Sequence, residues 1–212
     1  MILGLLNPFL LFWHLLVAPS WPAVAADVAA SIAPVQIRVE ATEAAPQATY
    51  YPVCTAVLVD AHKNLWLTAT HCIKQPQMAS YVFFIATHPL VWVAEDRDLV
   101  LVRPVGRIAQ RRALPVRHSL VRRGEAVAGL GYARQLAAPT FTGGTVAAPV
   151  AAERLVLDLN LWLGHSGAPI VDHRGRLVSL GFDSHPDLPG SANAVTTAEP
   201  QSRQWALHAT QA

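Results

Sequence analysis

The sequence predicts an all-β fold, a sandwich or a barrel, and three observations carry that reading. About a dozen short β-prone runs follow one another from residue 35 onward. Sixteen prolines and twelve glycines punctuate them, the spacing at which strands alternate with turns in all-β domains. Apolar residues make up 52% of the chain and charged residues 14%, against about 25% charged in an average globular protein. A chain this apolar packs rather than staying disordered, and 212 residues suffice for a sizeable core in one domain or two small ones.

The chain opens differently. Residues 1–26 contain no Asp, Glu, Lys or Arg, and residues 2–17 are almost continuously apolar. Small residues at Ala23/Ala25 or Val24/Ala26 suit a cleavage site, and the first charge is Asp27. The segment 1–26 reads as a secretory signal peptide, leaving 27–212 as the domain of a secreted or periplasmic protein. An uncleaved anchor is the alternative. However, about 16 apolar residues broken by Pro8 fall short of the ~20 that cross a bilayer comfortably, so no stable span is expected once the signal is cut.

The strands then come in two sets. Residues 35–40 alternate apolar and polar, as a half-buried strand does. Runs 55–59 and 65–68 bracket a hairpin turn at 60–64, and 81–85, 90–93 and 99–102 complete the first set. Runs 125–128, 143–146, 155–159, 168–171, 177–180 and 194–196 form the second. Between them, 104–123 is a crossover; with Arg103 it carries seven arginines at 103, 107, 111, 112, 117, 122 and 123, read as a solvated connection. Thr196 three residues before Glu199, with Pro200 in the first turn, starts a short C-terminal helix over about 198–209.

Charge excludes some partners. Sixteen basic against fourteen acidic residues leave a net +2, no electrostatic basis for nucleic-acid binding. Nine histidines occur without ligand spacing, so no metal is expected. The two cysteines, Cys54 and Cys72, suggest a disulfide in an exported chain, with a free buried pair as the other reading.

Three segments carry chemistry: Leu-Thr-Ala-Thr-His71-Cys72, Asp98 heading Leu-Val-Leu-Val, and Gly164-His165-Ser166-Gly167-Ala168-Pro169. Each alone is weak; together they supply what a serine nucleophile needs. Serine attacks only when a base takes its proton, imidazole suits that near neutral pH, and an acid holds the imidazole's tautomer. Gly164 and Gly167 permit a tight turn that frees the amides of Gly164 and Ser166 to meet a developing oxyanion. Asp96, on the same strand face as Asp98, is the second choice for the acid.

These segments resemble the trypsin/chymotrypsin family of serine peptidases, whose motifs are Leu-Thr-Ala-Ala-His-Cys and Gly-Asp-Ser-Gly-Gly-Pro. The resemblance spans about residues 35–209. It implies a chymotrypsin-like double barrel: two six-stranded antiparallel barrels over about 33–103 and 124–197. It further implies His71 as general base, Asp98 as orienting acid, Ser166 as nucleophile, and a Cys54–Cys72 disulfide. The separations, 27 residues from His71 to Asp98 and 68 on to Ser166, resemble the compact bacterial branch containing the high-temperature-requirement proteases. Sixteen residues after Thr196 leave no room for the PDZ domains common there. Two positions depart from the pattern. His165 replaces the Asp that pairs with a new N-terminus, so no activation of that kind is expected; Ala168 replaces a Gly.

By the same match, Asn160 lies at the floor of the substrate pocket, with Leu161 and Leu163 on its walls and Ser179 to Phe182 opposite. Without a carboxylate at Asn160, a preference for a neutral, small or apolar residue is expected. The chain is thus expected to be an exported serine endopeptidase acting on protein or peptide substrates through an acyl-enzyme, with no cofactor. A non-catalytic peptidase-like binding protein and a hydrolase of simple esters are the alternatives.

Overall fold

A computed structural model describes residues 19–181, apart from 42, 44, 75–80, 97, 109–110, 134–135 and 151–153, together with 194–196. Six strands form the first unit: β1 (Ile32–Val39), β2 (Thr49–Asp60), β3 (Leu65–Ala69), β4 (Phe83–Ile85), β5 (His88–Asp96) and β6 (Leu99–Pro104). They close into an antiparallel barrel in the order β1-β2-β3-β6-β5-β4. The second unit holds β7 (Ala126–Gly131), β8 (Thr140–Val150), β9 (Arg154–Asp158), β10 (Pro169–Asp172), β11 (Leu177–Leu180) and β12 (Ala194–Thr196). Its sheet runs β11-β10-β7-β8-β9-β12 and curls until β12 lies beside β11. Each expected run overlaps one of these strands; several strands are longer than alternation alone indicated, whereas β4 takes in only 83–85 of the run 81–85.

Local chemistry explains the hairpin between β2 and β3. Asp60 Oδ1 accepts the backbone N–H groups of His62 and Lys63 at 2.8 and 2.9 Å, a side-chain-mediated turn. Asn64 takes the left-handed conformation, φ 54°, that asparagine tolerates better than most residues.

β2 departs from simple alternation: from Cys54 to Asp60 every residue is buried. One face lines the barrel beside Val35, Trp66, Ile85 and Val100. The other abuts the second unit, whose own core gathers Val127, Val146, Leu155, Leu157, Ile170 and Val178. β2 is therefore the surface on which the two halves meet.

A helix precedes β1. α1 (Trp21–Ala29) lies across β1 and β7 with Val24 and Val28 buried, and the Trp21 ring sits 5.9 Å from that of Phe141 on β8. Pro22 occupies its first turn, where a missing N–H costs nothing. Trp21 and Val24, assigned above to the end of the leader, pack on the domain, and a cut after Ala26 would strip them from it. The expected C-terminal helix lies outside the described residues.

The arginine-rich crossover is only partly solvated. Arg111 donates to the Ile32 carbonyl at 2.8 Å. Arg117, its side chain 9% exposed, bridges Glu125 and the fully buried Asp172 on β10, which Arg176 also pairs at 2.7 Å. Arg111 thus ties the connection to the first barrel and Arg117 ties it to the second sheet.

Candidate active site

β3 ends at Ala69, and the chain tightens at once into a 3₁₀ turn, Thr70–Cys72. The register pairs Ala69 with Leu99, which brings Asp98 level with that turn. Asp98 holds it at three points. Its carbonyl accepts Thr70 N–H at 2.9 Å, Oδ1 accepts His71 N–H at 2.8 Å, and Oδ2 lies 2.6 Å from His71 Nδ1. A carboxylate only accepts, so the proton sits on Nδ1 and Nε2 keeps its lone pair. Asp96, paired with Leu99 on β5, takes no part in these bonds.

The cysteine after His71 is bonded to Cys54 on β2, with Cα atoms 6.0 Å apart. The bond chooses between the two readings of the pair. Closing a loop with a separation of 18 residues contributes roughly 3 kcal/mol.

Ser166 is seated on the same strand. Thr55 N–H donates to the Ser166 carbonyl at 2.9 Å, and Cys72 Sγ packs 3.7 Å from that oxygen. In the turn around it, His165 N–H donates to the Trp162 carbonyl at 2.8 Å, Gly167 N–H to Gly181 at 2.7 Å and Ala168 N–H to His165 at 2.8 Å. The amides of Gly164 and Ser166 have no acceptor among the described residues. Two such donors flanking a serine hydroxyl are what a developing oxyanion requires. Both glycines are obligatory. Gly164 (φ 96°) and Gly167 (φ 78°) are left-handed, and a Cβ would fall 2.2 Å from the Tyr132 carbonyl oxygen or 2.3 Å from that of Thr55. Ala168 needs no such conformation, so its departure from Gly is absorbed without strain.

Thr55 is a residue that no sequence motif marked. Fully buried, it donates its Oγ1 proton to the Gly164 carbonyl at 2.9 Å and accepts Tyr132 N–H at 2.9 Å. One side chain of the first barrel thus clamps the Gly164 turn of the second unit.

His165 is also buried, its ring turned to Thr140 on β8 and to the Trp162 amide. Burial holds its pKa below the ordinary histidine value, partly offset by hydrogen bonds that the ring donates to the backbone of Thr140 and Gly131.

The expected pocket residues are scattered in exposure. Asn160 is exposed and Leu163 is 84% exposed. Leu161 is half-buried, its methyls within 3.2 Å of a Cβ built at Gly129 and 3.1 Å of one at Gly181. Ser179 is buried in β11, and Phe182 lies outside the described residues. Among those residues no three His, Cys, Asp or Glu side chains cluster as metal ligands.

A His–Asp pair on a closed β-barrel, adjoining a glycine-flanked serine on a second curled sheet, defines a serine-type hydrolase. The family model for the trypsin-like peptidase domain matches residues 54–180, more than half of the chain, and the chain belongs to that family of serine peptidases. No characterised protein matches the sequence significantly. Among solved structures, an HtrA-type protease, AlgW with a decapeptide, superposes with a TM-score of 0.71 at 14% identity, covering 90% of this chain and 67% of its own. The serine endoprotease from Yersinia pestis gives 0.67 at 17% identity, covering 92% and 68%.

Proposed function

We propose that this protein is an exported serine endopeptidase in which His71, Asp98 and Ser166 act as base, orienting acid and nucleophile. The observation that carries the reading is the multi-point hold of Asp98 on His71, with the Ser166 turn bonded to Thr55 and packed on Cys72. Ser166 Oγ attacks the peptide carbonyl while its proton passes to His71 Nε2, and Asp98 stabilises the imidazolium. The N–H groups of Gly164 and Ser166 take the negative charge on the carbonyl oxygen. Imidazolium then protonates the departing amine, leaving an acyl-enzyme ester. Water, deprotonated by His71, attacks that ester and returns free Ser166.

Export is supported by the apolar, uncharged start and by the Cys54–Cys72 bond, which persists in oxidising compartments. No helix among the described residues is long and apolar enough to cross a membrane. The packing of α1 favours processing upstream of Trp21. Both ring nitrogens of His165 are engaged by Thr140 and Trp162, which supports a site assembled without an N-terminal ion pair. A neutral Asn160 and an apolar Leu161 support cleavage after small or apolar residues; hydrolysis of a peptide library after Lys or Arg would contradict that preference.

The test is labelling with a fluorophosphonate probe beside Ser166→Ala and His71→Ala. Labelling confined to the unaltered protein is expected, with turnover lowered by about 10⁴ or more in each variant. A folded, oxidised protein that takes no label would overturn the assignment.

A further inference from the structure

We propose that His165 is a positioning residue for the oxyanion turn: its neutral, Nε2-protonated ring staples Trp162 to Thr140, and a proton on Nδ1 opens the turn. The inference rests on the nucleophile assignment above and concerns a neighbouring side chain that the reaction scheme leaves idle.

The hydrogen bonds allow one arrangement. Trp162 N–H points at His165 Nδ1 across 2.9 Å, and a backbone amide only donates, so Nδ1 carries no proton. Neutral imidazole must then carry it on Nε2, which lies 2.9 Å from Thr140 Oγ1. That oxygen is free to accept, because its own proton goes to the Gly131 carbonyl at 3.1 Å. Each donor in the chain Trp162–His165–Thr140–Gly131 has one acceptor.

The staple closes a short ring. His165 N–H returns to the Trp162 carbonyl at 2.8 Å, so side chain and backbone of His165 grip the same residue. Between them lie only Leu163 and Gly164. The Gly164 carbonyl is held by Thr55 Oγ1, and the peptide joining Leu163 to Gly164, which carries the outward Gly164 amide, has a fixed peptide on either side. Losing the Nδ1 bond removes one of the two grips of His165 on Trp162 and lets that amide turn away.

Protonation breaks the staple for a definite reason. Imidazolium has N–H on both nitrogens, so Nδ1–H would face Trp162 N–H at 2.9 Å. The backbone carbonyls of Thr140 and Gly131 offset only part of the cost that burial puts on the charged ring. Thr55 on β2, Gly131 on β7 and Thr140 on β8 pack around the ring without charge; Tyr132, which follows β7, is a buried phenol whose pKa burial raises. Burial keeps the His165 pKa low, so the staple is intact at neutral pH and fails on acidification.

The experiment compares the full chain with His165→Gln and His165→Asn, reading the second-order rate of fluorophosphonate labelling against pH. Asn places a carbonyl oxygen near the Nδ1 position and cannot titrate; Gln places its amide near Nε2 and removes the acceptor at Nδ1. Gln should lower the rate by about 10²-fold and Asn should recover most of that loss, with circular dichroism showing all three folded. The acid limb of the unaltered protein should be steeper than that of the Asn variant by one proton, that of His165. Nitrogen-15 NMR of the His165 ring should show protonated Nε2 and bare Nδ1.

A Gln variant labelling as fast as the unaltered protein, equal acid limbs, or protonated Nδ1 at neutral pH would each overturn the proposal. Absence of labelling in the unaltered protein would instead strike the nucleophile assignment, and the NMR readout would still decide the staple.

Discussion

Replacing Thr55 with valine keeps the shape of the side chain and removes only its hydroxyl, which isolates what that hydroxyl does. Two buried bonds go: the Gly164 carbonyl loses its donor and Tyr132 N–H loses its acceptor. An unsatisfied buried amide costs roughly 1–3 kcal/mol, and an under-satisfied carbonyl somewhat less. Together they should lower stability by about 3 kcal/mol. At about 2–4 °C per kcal/mol for a chain this long, Tm falls on the order of 10 °C. The effect on activity is separate. With the Gly164 carbonyl untethered, the oxyanion turn loses its hold on the first barrel, and the loss approaches that of one oxyanion donor, about 10²–10³. Fluorophosphonate labelling rates and thermal unfolding of Thr55→Val are to be compared with Thr55→Ser, which keeps the oxygen and should stay close to the unaltered protein in both. A valine variant labelling within threefold of the unaltered rate would refute the clamp.

Three further outcomes follow from the same bonds. Asp98→Asn presents an amide where a carboxylate accepted His71 Nδ1–H, reverses the ring's tautomer, and should lower kcat by about 10⁴ with KM little changed, read by steady-state kinetics on a chromogenic ester. Starting the chain at Asp27 rather than Pro19 removes Trp21 and the buried Val24. It should cost about 3 kcal/mol, seen as a lower urea midpoint at unchanged slope. Asp172 is buried, and although burial raises its pKa, bonds from Arg176 and the amides of Arg176 and Arg174 outweigh it and hold the value below 3.8. A carboxylate with a lowered folded pKa contributes stability that is present above its unfolded value and lost as pH falls through the folded one. Acid unfolding below about pH 4 should therefore be shallower in Asp172→Asn, which should also lose roughly 3 kcal/mol at neutral pH by taking the carboxylate from the Arg176 pair and leaving Arg117 to Glu125.

Legibility in the sequence tracked how local each feature is. Strand positions were legible because alternation and the Gly and Pro punctuation are local signals; their ends were not, since ladder pairing extends β8 through Thr140–Val150 beyond any alternating core. His71, Asp98 and Ser166 stand in short motifs whose residue types the chemistry dictates. Thr55 stands in an apolar run and matters through partners 77 and 109 residues away, which no window reveals. Arg117 looked like one more solvated arginine, because its partners Glu125 and Asp172 sit on other elements. α1 was hidden for another reason. Apolar small residues before the first charge suit both a leader's cleavage region and a helix laid against a barrel.

The two halves of the site depend on the fold in different ways. The His–Asp pair belongs to one barrel: the register of β3 against β6 sets it, and nothing in the second sheet is needed to form it. The serine's turn is the opposite case. Ser166 is held through Thr55 N–H, and Gly164 through Thr55 Oγ1, so its geometry is set across the interface between the halves. A perturbation that loosens that interface without unfolding either half should therefore abolish labelling of Ser166 while the Asp98–His71 bond survives. Loss of nucleophile reactivity at temperatures below the main unfolding transition, with the His71 ring proton still protected in NMR, is the signature this division of support requires.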